Sequence, residues 1–104
     1  MTYYLSGPMS GMPLHNKPAF DAAAATLRAA GHVVLNPHEI APADPEMTWE
    51  AALRTDLLAI LMLPDCQLVM LSGWKESRGA RLEHHVASEL RLPIYHYHEG
   101  QLHT

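Results

Sequence analysis

"DCQLVML", residues 65–71, is the stretch on which the fold turns. Behind Asp65 the residues from Cys66 to Leu71 run on without the apolar and polar alternation of a strand wetted on one side. A short continuous run of this kind predicts a strand buried on both faces, as in the interior of a parallel sheet. Working outward, Thr48 is placed to cap a helix that runs to about Met62, just before this strand. After the polar turn SGWKES, Ser77 is placed to cap another helix, which stops before Pro93. A helix on each side of a doubly buried strand implies crossover connections.

The rest of the chain repeats the unit. TYYLS is a β-branched and aromatic strand stopped by Gly7 and Pro8, and the loop SGPMSGMP extends to Pro13. A helix from about Asn16 to Ala30 carries Phe20, Ala23, Ala24 and Leu27 on one stripe and is closed by Gly31. HVVLN is the next strand, PHEIAPADPEM reads as a surface loop, and PIYHY is the last strand. Right-handed crossovers then predict an α/β fold: a parallel sheet of four to five strands with helices on both faces. Ligands in such sheets sit beyond the carboxyl ends of the strands, where SGPMSGMP and SGWKESRG would gather.

Composition narrows the function. At 104 residues the chain is one domain, 1–104, able to bury a core of its own. A net charge of -4 leaves no basic footprint for polymeric nucleic acid or an anionic membrane, so the expected ligand is small. The single Cys66 excludes an internal disulfide and reads as a packed thiol in a reducing compartment. MTYYLSGPM lacks a basic segment followed by an apolar one and LLAILML is too short to span a bilayer, so a soluble cytoplasmic protein is expected. Eight histidines are scattered without a metal-ligand spacing; His96 and His98 share one strand face, but two ligands do not make a site, and no metal is expected. SGPMSG has neither the G-x-G-x-x-G spacing nor a G-K-[ST], so it reads as a tight turn after a strand rather than a dinucleotide or P-loop fingerprint. Trp49, on a helix stripe, reads as core; Trp74 is available to stack on a base.

Two acids break the pattern. In SRGARLEHHVASEL, residues 77–90, the stripe of Ala80, Val86, Ala87 and Leu90 passes through Glu83, while Arg81, His84, His85, Ser88 and Glu89 fall mostly on the other side. In the preceding helix Asp56 sits among Trp49, Ala52, Leu53 and Ile60 at spacings of three, four and seven. Burying an ionised carboxylate without a partner costs several kcal/mol or forces its pKa upward. Either each acid is paired with Arg54, Arg78 or Arg81 or caps an exposed backbone amide, or the two form a site. Two carboxylates around a sugar suit glycosidic chemistry, one attacking or steadying the anomeric carbon and the other managing a proton.

The ordered set Tyr4-Leu5-Ser6-Gly7-Pro8, Asp56-Leu57, Asp65, Ser77-x-Gly79-x-x-x-Glu83, Ala87 and Leu92-Pro93-Ile94 resembles the nucleoside 2-deoxyribosyltransferase superfamily from Tyr3 to about Tyr95, in particular small phage and bacterial members with a YLSGPMSG start. The resemblance implies a Rossmann-like (flavodoxin-like) homodimer that cleaves the N-glycosidic bond of a nucleoside or its 5′-monophosphate without metal or other cofactor. It makes Glu83 the nucleophile, Asp56 the group that protonates or orients the base, and Tyr4 a hydroxyl holding Glu83 or the sugar. It places Ser6, Gly7, Pro8, Ser10, Ser77, Arg78 and Gly79 around the substrate, and makes Tyr97 and His98 candidates to close a neighbouring subunit's site. Six residues before the nucleophile, enzymes of this kind acting on free nucleosides carry aspartate and monophosphate hydrolases carry serine, so Ser77 favours the monophosphate; as a hydroxyl at a helix start it is equally a plain cap. The first loop departs from the hydrolase pattern: Pro8 and Ser10 stand where a serine and an arginine are expected, leaving Arg78 or Arg81 to supply the cation. The alternatives are a nucleotide-binding module without catalysis and a structural subunit whose acids are ion-paired.

Overall fold

The computed structural model describes residues 1–41, 44 and 46–104. Cys66–Met70 forms the central strand β3, buried along its whole length, the polar Gln67 included. On one side it pairs in parallel with β1 (Thr2–Ser6), in the register Tyr4 to Leu68 and Ser6 to Met70; on the other it pairs in parallel with β4 (Ile94–His98). The short β2 (Val33–Leu35) lies outside β1, also parallel. A fifth strand, β5 (Gln101–His103), adds antiparallel to β4, giving the order β2-β1-β3-β4-β5 of a flavodoxin-like α/β sheet. This antiparallel edge differs from the expected all-parallel sheet. Its hairpin turns on Glu99 and Gly100, both at positive φ (51° and 77°), the geometry of a two-residue mirror-image turn.

The helices divide the sheet's two faces between them. On one face α1 (Lys17–Ala29) sets Phe20, Ala23, Ala24 and Leu27 against Tyr3, Leu5, Val34, Val69 and Leu71. On the other, α3 (Trp49–Met62) and α4 (Arg78–Glu89) bring Ile60, Ala80 and Ala87 against Tyr4, Cys66, Leu68 and Met70. The period-two alternation of β1 therefore sends Tyr3 and Leu5 to α1, and Tyr4 and Ser6 to the helices carrying the two acids.

Two expectations need correction. The segment after β2 opens with a helical turn, α2 (Pro37–Ile40), because the Asn36 side chain accepts from the His38 N–H at 3.1 Å and Pro37 suits a first helical position. The remainder of the predicted loop includes Pro42, Ala43 and Pro45, outside the described residues. Leu90 is 49% exposed, since it caps α4 just before the chain reverses through Arg91 at φ 58°, so the apolar stripe ends at Ala87.

The loop after β1 is held close to the loop after β3. Leu71 N–H donates to the Ser6 carbonyl at 2.8 Å, and a β-carbon placed on Gly7 would come within 2.9 Å of Leu71 Cβ. Gly79, by contrast, would place a β-carbon in ordinary contact with Trp49 and Leu53, at 3.8 and 3.9 Å. Gly7→Ala is therefore expected to destabilise the protein by about 1–3 kcal/mol through overpacking, while Gly79→Ala stays within about 1 kcal/mol of the parent or gains stability; urea unfolding of the two variants checks this.

Candidate active site

Glu83 lies one turn into α4 on its inward face, 6% exposed. Both of its oxygens are engaged: Tyr4 Oη donates to Oε2 at 2.7 Å and Ser6 Oγ donates to Oε1 at 2.6 Å. Two hydroxyls two residues apart on one strand face thus clamp one carboxylate, because β alternation points them the same way. Burial raises the Tyr4 pKa well above its ordinary value, and the charges of Glu83 and Asp56 raise it further, so Tyr4 remains a proton donor.

Asp56, on the inward face of α3, is 4% exposed. Its Oδ1 is buried with no hydrogen-bond partner. Burial pushes the Asp56 carboxyl up to about 7, the neighbouring Glu83 charge adds to the rise, and the Tyr4 hydroxyl opposes it. The Glu83 carboxyl is also raised to about 7 by burial, against the lowering effect of its bonds from Ser6 and Tyr4. Hydrogen bonds to the charged form favour ionisation, so the doubly bonded Glu83 is the better home for the negative charge and Asp56 for the shared proton. Among the described residues neither acid takes part in an ion pair, which removes the support for the structural-subunit reading.

The remaining candidates gather at the same end of the sheet with different roles. Ser77 Oγ accepts from the Ala80 N–H at 3.2 Å and so caps α4. Arg78, the first residue of α4, lays its guanidinium on the Trp49 ring, 4.4 Å from the centroid. Pro8 packs near Gly73, and Gly7 is buried against Leu71. Ser6 is only 1% exposed and is spent on Glu83. Ser10 lines a cavity of about 520 Å³ with Met9, His15, His38, Trp49 and Ala52. Trp49 is accordingly a half-buried wall of a cavity rather than core. Trp74, read as available to a base, is stacked on His84 with centroids 4.4 Å apart.

Sequence reasoning missed His15 and His38 as cavity residues. His38 has a buried Nε2 without a partner, and burial lowers its pKa. His15 is carried by consecutive left-handed residues, Leu14, His15 and Asn16, with φ of 53°, 53° and 61°. None of the three is glycine, so no composition signal marks this turn. Among the described residues no cluster of three or more His, Cys, Asp or Glu is arranged to hold a metal, and no helix is long and apolar enough to cross a membrane.

Comparison with family models matches residues 1–96 to a domain of unknown function, DUF4406. The chain belongs to the DUF4406 family. Among solved structures the DUF4406 chain is similar to a 2-deoxyribosyltransferase from the psychrotolerant bacterium Bacillus psychrosaccharolyticus, with a TM-score of 0.64, 21% sequence identity, and coverage of 90% of this chain and 69% of that one. At that identity the likeness establishes a shared fold. Comparison with curated proteins gave no match.

Both acids have folded pKa values above their unfolded ones, so the native state holds extra protons between about pH 4 and 7. Their contribution to stability therefore falls as pH rises through that window. Asp56→Asn removes one buried ionisation and is expected to stabilise the protein at pH 8 by on the order of 2 kcal/mol relative to the parent, with the advantage fading towards pH 4. Thermal melts of both proteins across pH 4–8 measure it.

Proposed function

We propose that this DUF4406 chain is an N-glycosidase that cleaves the base–sugar bond of a nucleoside or deoxynucleoside 5′-monophosphate, with deoxyribosyl transfer to a second base as a further capacity. The observation that carries the reading is the pair of buried acids in unlike settings: Glu83 clamped at both oxygens by Tyr4 and Ser6, and Asp56 with an unpartnered buried oxygen. The shared fold with a 2-deoxyribosyltransferase supports it.

In this mechanism the ionised Glu83 attacks the anomeric carbon. A bond forms between a Glu83 oxygen and C1′, the C1′–N bond breaks, and its electron pair leaves with the base, which takes a proton from Asp56. Asp56, now a carboxylate, takes a proton from water as the water attacks C1′ and frees Glu83. A second base in place of water would give transfer. Tyr4 and Ser6 fix the carboxylate's orientation, Ser77, Arg78 and Gly79 offer a helix start and a cation to the 5′-phosphate, and Gly7, Pro8 and Ser10 shape the loop beside it. No metal or cofactor takes part in this scheme. The bound partner is a small nucleotide, and the location that goes with it is the cytoplasm, consistent with the unpaired buried Cys66.

Assembly as a homodimer, or a higher homo-oligomer, belongs to the same reading. Its support is an exposed apolar row on α3, with Leu58, Leu61 and Met62 at 55%, 57% and 68% exposure. Tyr97 packs on the core of the α1 face and His98 is exposed, leaving His98 the freer of the two to reach a neighbour. Leu61→Asp is expected to shift the protein to monomer in sedimentation-velocity runs, where the parent sediments as a dimer or larger.

A non-catalytic nucleotide-binding module is the alternative, and turnover decides between them. With a panel of ribo- and deoxynucleoside monophosphates, chromatography is expected to show base release, reduced at least a thousandfold in Glu83→Gln. The pH–rate profile is expected to be bell-shaped about neutrality, losing its alkaline limb in Asp56→Asn. Release by Glu83→Gln at the parental rate rules the mechanism out, and tight binding with no turnover over hours favours the module.

A further inference from the structure

We infer that Trp49 is a positioning residue that fixes the Arg78 guanidinium as the anion receptor of the site, and so sets the preference for a 5′-phosphorylated substrate over the free nucleoside. The inference rests on the N-glycosidase reading for where the substrate lies, but its evidence is separate from the carboxylates.

Trp49 is held from two directions. The Arg78 guanidinium covers one ring face, 4.4 Å from Cζ to the centroid, and the first turn of α4 abuts the ring edge, whose Cζ2 lies 3.8 Å from the position of a β-carbon on residue 79. Trp49 also lines the cavity of about 520 Å³ that contains Ser10, His15 and His38. Along α3 the wall formed by Trp49 and Ala52 leads, one turn further on, to Asp56. The same indole therefore bounds the cavity and carries the cation, and its helix leads down to the acids.

Arg78 has the properties of a receptor left open. It is exposed, and among the described residues no carboxylate pairs with it, whereas Arg28 is paired with Glu39. Asp44, which also lines the cavity, has its Oδ1 engaged by the Glu46 N–H at 2.9 Å. Ser77 takes up the Ala80 and Arg81 amides, while the amides of Arg78 and Gly79 at the positive end of the helix have no partner among the described residues. Among the described residues Arg81, the other cation near this helix start, has no aromatic platform. Stacking restricts Arg78's rotamers before any ligand arrives and leaves the edge of the guanidinium fork available for a bidentate phosphate contact. A surface lysine or an unstacked arginine would have to be ordered on binding.

The test is calorimetric binding of each 2′-deoxynucleoside and its 5′-monophosphate, for all four bases, to the parent, Trp49→Ala, Trp49→Phe, Arg78→Ala and the Trp49→Ala/Arg78→Ala double variant. The parent is expected to prefer the monophosphate. Trp49→Ala and Arg78→Ala should each cut that preference about tenfold, the double variant should cut it no further than about threefold beyond either single one, and Trp49→Phe should keep most of it. Arg78 is exposed, so its variant reports even where Trp49→Ala folds poorly. A parent with no preference, a Trp49→Ala variant that weakens both ligands equally, or additive losses in the double variant would overturn the inference. Phosphate-selective binding without base release leaves this inference standing and sinks the glycosidase reading; base release with no Trp49 effect does the reverse.

Discussion

The arrangement depends on a charge taken almost entirely out of water. Glu83 sits between a helix and a sheet, and what compensates the lost hydration is two hydroxyls from one strand, each donating to one carboxylate oxygen. That requirement propagates outward. Tyr4 and Ser6 must share a face of β1, β1 must lie beside β3 with α4 following it, and α3 must run parallel to α4 so that Asp56 meets the same region. A parallel sheet with right-handed crossovers supplies all of this at once.

The second acid gives the first its chemical meaning. A lone buried glutamate with two donors would be a structural fixture. Beside it stands Asp56 with an unsatisfied buried oxygen and a carboxyl raised to about 7, so the pair is one proton short of full protonation near neutral pH. Native proteins rarely leave a buried polar atom unpaired, and this one lies one helical turn beyond the cavity-lining Ala52, a deficit that a substrate group would fill in the proposed reaction. Stability given up at this position is expected where chemistry is carried out.

Much of this was readable in the residues because it followed from periodicity. The stripe of Phe20, Ala23, Ala24 and Leu27 came out as α1's buried face, the unbroken run after Asp65 as the central strand, and the two acids on apolar stripes as buried carboxylates. What escaped depended on local geometry or on contacts distant in sequence. β5 has one apolar residue in three and rests on a Glu99–Gly100 turn, too little pattern to register as a strand. Trp49 matched a core stripe, yet helix periodicity cannot say that the first turn of α3 borders a cavity instead of the core. The cavity placement of His15 depends on a left-handed turn of non-glycine residues, and Ser6 appeared as a loop residue near the substrate although its hydroxyl is committed to Glu83.

Carboxyl carbon NMR on protein labelled at Asp and Glu side chains reads the protonation of the two acids directly. The Glu83 and Asp56 signals are expected to titrate near pH 7 in two coupled steps, and replacing Glu83 with Gln should move the Asp56 midpoint downward as its charged neighbour disappears. Two independent titrations below pH 5, each unaffected by removal of the other acid, would contradict this coupling.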